Sequence, residues 1–245
     1  MSDFTQDDLF DAIDRLVRDV LERHNIDTPP VDAMLLAQDE FDCTIREEEP
    51  EEEEAAPGRF GPRAGKRFNR HEIVFRPDQS EQSRQMVCAR ACAKGLVPHV
   101  LAKLGVETDG QQNRSAASSL MGVITPRFLL PTRWFSKDAR KAGYDLEALK
   151  LTYPTAPYET MALRLLDLDD PCVIAIVDDG NVSVRRSNQN QVGKKLTSAE
   201  ERCLVKVGEE RDPQKVRHDG WTTQGWPIPN GPFNRIILRS VADDL

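Results

Sequence analysis

Seven glutamates fall in one eight-residue window, Glu47 to Glu49 and Glu51 to Glu54, broken only by Pro50. Such a run repels itself and has nothing to bury, so no core can be built through it. The stretch that follows, Ala55 to Arg70, has the opposite sign. It carries Arg59, Arg63, Lys66, Arg67 and Arg70, spaced by Pro57, Gly58, Gly61, Pro62 and Gly65. Proline and glycine at that density block regular structure. Residues 46–70 therefore read as a mobile charged insertion, and the fold must be assembled from the two flanks. The run also supplies most of the net charge of −8; without it the chain is close to neutral. An acidic balance argues against a general nucleic-acid surface, and no direct nucleic-acid binding is expected, although a local basic patch remains compatible with it.

The flanks are long enough for a real core: 245 residues, 39% of them hydrophobic, bury on the order of 70% of their unfolded surface. No apolar run has the length of a membrane span. The start, MSDFTQDDLFD, lacks the basic-then-apolar pattern of an export signal. Five cysteines, without repeated pair spacing, fit free thiols in a reducing compartment. The expected location is the cytoplasm.

Before the insertion, Leu9, Phe10, Ile13, Leu16, Val17, Val20 and Leu21 follow helical spacing behind a Thr5 cap. Val31 to Gln38 reads as a short helix and Phe41 to Ile45 as a strand. After it, Glu72 to Phe75 is a strand and Ser80 caps a helix from Glu81 to Gly95. Leu96 to Leu104 is expected as a separate helix with Pro98 in its first turn. Ser115 to Leu130, Asp145 to Leu151 and Tyr158 to Leu168 read as further helices. From Pro171 the texture changes. Val173 to Val177, a turn at Asp178–Asn181 and Val182 to Arg186 form a hairpin. Thr197 to Val207 is a helix. Phe233 to Val241 is a strand with Ile236, Leu238 and Ser240 on one face and Ile237, Arg239 and Val241 on the other. Trp221, Trp226 and Phe233 form either an exposed aromatic patch or, as such clusters usually do, a small core.

Motifs of chemistry are sparse. The four histidines, His24, His71, His99 and His218, are not paired at helical spacing. Cys88 and Cys92 share a helix face with His99 seven residues on. A zinc site needs a fourth ligand and tighter spacing, and buried core thiols explain the pair. There is no glycine-rich phosphate loop and no nucleophile elbow.

Order and local texture say more. The opening helix with Thr28-Pro29-Pro30-Val31-Asp32-Ala33, the strand Glu72 to Phe75 leading through Arg76-Pro77-Asp78-Gln79 into a helix, and Leu129-Leu130-Pro131-Thr132 follow one another in sequence. Gly143-Tyr144-Asp145-Leu146-Glu147-Ala148-Leu149 and Ala162-Leu163-Arg164-Leu165 come next. In that order they resemble the ImmA/IrrE family of regulatory zinc metallopeptidases, over most of residues 9–168. The C-terminal Gly225-Trp226-Pro227-Ile228 and Arg235 to Arg239 are similar to the tail of longer members. The resemblance implies an α+β fold: a mainly helical zincin-like domain with a small sheet over residues 1–168, then a small β-rich extension over 169–245.

The departure from the family is as informative. Its central helix carries HExxH, two histidines gripping zinc and a glutamate activating water. The matching positions here read Arg90-Ala91-Cys92-Ala93-Lys94. Two cations stand for the ligands and alanine stands for the base. The helix that supplies the family's acidic ligand reads Ser115-Ala116-Ala117-Ser118-Ser119-Leu120-Met121, with no acid. The expectation is a catalytically inactive homologue with no cofactor, although the family uses zinc. Arg90, Lys94 and Glu159 are the candidate ligand-binding residues of a former active-site cleft, with Glu159 able to bridge the two cations. Active relatives cleave DNA-binding repressors, so the expected partner is a protein, with a repressor-like regulator in view. The competing reading is an active metallo-endopeptidase, or another hydrolase, with unrecognised ligands.

Overall fold

A computed structural model describes residues 5–48, 72–105, 112–229 and 234–243. Most of the charged insertion, residues 49–70, lies outside them. Its expected first residues do not: Arg46 and Glu47 belong to a strand, so ordered structure runs further into the acidic run than charge alone predicts.

The chain is α+β and divides into two compact units, Met1–Thr132 and Arg133–Leu245. In the first, α1 (Gln6–Arg23) starts on a capping box. The Thr5 hydroxyl accepts from the Asp8 amide, and the Asp8 carboxylate accepts from the Thr5 amide, satisfying two of the donors a helix start leaves open. The apolar stripe Ile13, Val17, Val20 and Leu21 is buried. α2 (Ala33–Asp39) is capped by Asp32. β1 (Thr44–Glu47) and β2 (Glu72–Phe75) form a two-stranded parallel sheet. Arg84 ties this sheet to the next helix, donating to Glu47 at 2.7 Å.

That helix, α3, runs without a break from Glu81 to Lys103, with Pro98 inside it. Two helices were expected from the proline. An interior proline costs about 3 kcal/mol. Leu96, Val97, Val100 and Leu101 around it are all buried, each contributing about 1.5–3 kcal/mol, so packing outweighs the defect. At Gly95, a methyl group would meet the Phe41 ring at 2.3 Å; that ring in turn packs edge-on against Phe128. α4 (Gln112–Leu129) crosses α3 and is latched to α1 through Arg127. Its guanidinium is 2% exposed, donates to Asp14 at 3.2 Å and to the Val123 carbonyl, and lies over Phe10.

The second unit opens with α5 (Thr132–Lys141), α6 (Leu146–Thr152), α7 (Tyr158–Arg164) and a 3-10 turn, Leu165–Asp167. α5 is a helix that sequence reading left unassigned. β3 (Val173–Asp178), β4 (Asn181–Ser187), β5 (Gln214–His218), β6 (Trp221–Ile228) and β7 (Arg235–Ala242) form an antiparallel sheet in the order β4-β3-β7-β6-β5. α8 (Ser198–Glu210) packs Cys203 and Val207 on Ala175 and Leu238 of one face. α7 lies on the other, where Ile174, Ile176, Trp226 and Ile237 are buried. The core reading of Trp226 therefore holds, while Phe233 falls outside the described residues. Two Asp-Gly turns close the hairpins, Asp179-Gly180 and Asp219-Gly220, all four residues having positive φ. Only glycine, asparagine and aspartate adopt that conformation at little cost. The first turn was legible in the sequence; the second, with β5 and β6 around it, was not assigned.

Candidate functional site

The end of β6 is unusual for an inner strand. β5 begins at Gln214, opposite Gly225. Trp226, Pro227 and Ile228 therefore run past β5 and pair with β7 alone. A proline is tolerated there because no neighbour claims its missing N–H. On the same side α8 ends: Arg211 takes up a left-handed conformation and its amide bonds the Val207 carbonyl. Asp212-Pro213 then turns the chain into β5. The overhanging strand end, the helix end and the Asp212-Pro213 link from that helix to β5 border a groove of about 700 Å³, within the size range of small-ligand sites.

Its walls come from four separated stretches of the chain: residue 147, residues 207–213, residues 227–229 and residues 234–236. Val207, Pro227, Ile228 and Ile236 supply apolar surface; Glu147 from α6, Arg211, Asp212 and Arg235 supply charge. Arg235 is fully engaged. Its guanidinium donates to both oxygens of Asp178, at 2.6 and 3.1 Å, and to Glu159 at 2.5 Å. Held by that fork, the Asp178 carboxyl lies below the usual carboxylate range, the response of an acid to a bonded cation. Glu147 behaves oppositely. Partial burial, then Asp145 and Asp212, push its carboxyl up. No ion pair engages the side chains of Glu147, Asp212 or Arg211 among the described residues. The groove thus combines an apolar floor, an arginine already held by carboxylates, and three charged side chains without an ion pair: the acids Glu147 and Asp212 and the cation Arg211. Pro213, Pro227 and Pro229 line it as well and withhold backbone donors, which makes this strand end a poor template for a further strand.

The residues named from sequence lie as follows. Arg90 and Lys94 project one turn apart from α3 in the first unit; both are exposed and neither forms an ion pair among the described residues. Glu159 opens α7 in the second unit and accepts from Arg235, a partner that the sequence did not suggest. Cys88 and Cys92 are fully buried. Burial pushes the Cys88 thiol up to about 12 and raises Cys92 too, leaving inert core thiols. His99 is exposed. Among the described residues no three His, Cys, Asp or Glu side chains converge as a metal-binding group, and no helix is long and apolar enough to cross a membrane.

No family model and no curated protein matches the sequence. Among solved structures, one described as a Mycobacterium tuberculosis transcriptional regulator shares the fold. It is 18% identical, with a TM-score of 0.61, over 93% of this chain and 74% of that one.

Proposed function

We propose that this chain is a regulatory, protein-binding module of ImmA/IrrE ancestry that has no peptidase chemistry and engages its partner through the groove beside β6. The groove carries the reading: it is concave, partly apolar and charged, and its two acids, Glu147 and Asp212, form no ion pair among the described residues, with Arg211 as one cation for two carboxylates. The occupant that fits it is an exposed segment of a partner protein, placing an apolar side chain on Ile228 and Ile236 and a lysine or arginine beside Glu147 and Asp212. Such a contact joins a desolvated anchor to a complementary charge at its rim. The sequence motifs support the ancestry. Arg90 and Lys94 at the zinc-ligand positions, with Ala91 at the position of the base, support the loss of hydrolysis, because protonated cations cannot hold zinc and alanine cannot take a proton. A fold shared with a protein described as a transcriptional regulator is compatible with a regulatory role.

Display of random peptides against the full chain tests this. Enriched peptides are expected to pair an apolar residue with Lys or Arg, and a Glu147→Lys/Asp212→Lys variant is expected to shift the enrichment to acidic peptides. Enrichment without a charge preference, or one that the variant leaves unchanged, contradicts the groove. One zinc per chain in the purified protein restores the hydrolase reading.

A further inference from the structure

Between Asp179 and Glu200 the chain holds no acidic residue and four cations, Arg185, Arg186, Lys194 and Lys195, around the amide run Asn188-Gln189-Asn190-Gln191. The second unit anchors this segment at both ends. Arg185, with 7% of its side chain exposed, forms an ion pair with the fully buried Glu200 at 3.1 Å and donates to the Gly193 carbonyl at 2.9 Å. Asn188 donates to the Leu168 and Asp170 carbonyls at 2.8 and 3.0 Å and accepts from the Cys172 amide. Residues 185–192 thereby curl around a shallow cup of about 320 Å³ at the edge of the sheet. What the anchors leave in solvent is Arg186, Gln189, Asn190, Gln191, Lys194 and Lys195, all exposed. None of these three cations has an ion pair among the described residues. In the adjoining turn Asp170 pairs with Arg140 at 3.0 Å, and the fully exposed Asp169 lies 3.7 Å from the same guanidinium.

We infer that this loop is a contact site for the phosphate backbone of a nucleic-acid duplex. Three unpaired cations with clustered amides are the donors that phosphodiester oxygens accept from, and interfaces with DNA are polar and strongly cationic. Two alternatives fit less well. A protein interface needs an apolar or aromatic anchor at its centre, and the exposed tip offers none. Single strands are held by aromatic stacking, and residues 180–199 contain no aromatic residue. The net charge of −8 argues against nucleic-acid contact for the chain as a whole; in this loop the sign is locally reversed.

Release of counterions from the phosphates sets the size of the effect. Three phosphate contacts give a slope of log K against log salt of about −2.7, so Kd rises about 40-fold between roughly 50 and 200 mM salt. Fluorescence anisotropy of a short labelled DNA duplex with the full chain reads this directly. Lys194→Ala/Lys195→Ala is expected to flatten the same rise to about 3- to 4-fold. Adding Arg186→Ala is expected to remove binding. The anchors Arg185 and Asn188 are untouched, and an unchanged thermal midpoint verifies the fold. Absence of duplex binding at about 50 mM salt, a salt slope that the triple variant retains, or tighter binding of single-stranded DNA or a polyglutamate peptide than of duplex each overturns the inference. Because these residues lie outside the groove, peptide binding there is expected to survive the triple variant.

Discussion

Asp178 and Arg235 show what one pair contributes. The two-pronged contact draws a charged arginine out of the groove's balance and fixes β3 against β7 at their ends. A hydrogen bond between charged groups is worth about 1.5–3 kcal/mol. The folded Asp178 carboxyl lies below its ordinary value of 3.8. Its contribution is therefore fully present above that value and is lost as pH falls through the folded one. Asp178→Asn is expected to lower stability by about 1–3 kcal/mol at neutral pH, with the deficit shrinking as acid protonates the native carboxylate. Urea unfolding of both proteins across the acid range checks this; a deficit that does not change with pH contradicts it. Glu159 completes the clamp. Its place at the start of α7 was legible in the sequence, but its partner was not, because Arg235 lies 76 residues further along the chain and only the sheet brings it close.

At the scale of elements, local signals worked where they were local. The caps at Thr5, Ser80 and Thr197 sit where hydroxyl residues precede apolar periodicity. The hairpin at Asp179-Gly180 followed from a β-branched run and its turn. The same turn chemistry at Asp219-Gly220 was available, but β5 reads Gln-Lys-Val-Arg-His and carries little apolar signal, so pairing rather than propensity makes it a strand. α3 failed in the opposite direction. Pro98 announced a boundary that tertiary packing overrode. Gly225 records another long-range demand. A methyl group there would meet Val207, Cys203 and Leu238 at 2.8–2.9 Å, so α8 sits on β6 only because this residue has no side chain. Gly225→Ala is expected to cost about 1–3 kcal/mol through overpacking, against the ordinary strand preference for alanine over glycine. A thermal midpoint equal to or above that of the wild type contradicts it.

For the whole molecule, the composition change near residue 168 and the division into compact units at Thr132 do not coincide. Sequence texture reports where strands begin. Compactness reports what covers them, and α5–α7 cluster with the sheet. That difference moves attention from the exposed α3 pair Arg90 and Lys94 to the groove of the second unit, which no motif marks because its walls come from four separated stretches of the chain. The central claim is that this groove, and not the α3 cations, receives the partner. Calorimetric titration of one displayed peptide into three proteins decides it: the wild type, Glu147→Lys/Asp212→Lys and Arg90→Glu/Lys94→Glu. The groove variant is expected to weaken Kd at least about tenfold, a loss of about 1.4 kcal/mol, while the α3 variant binds as the wild type does. Unchanged affinity in the groove variant, with binding lost in the α3 variant, would contradict the account.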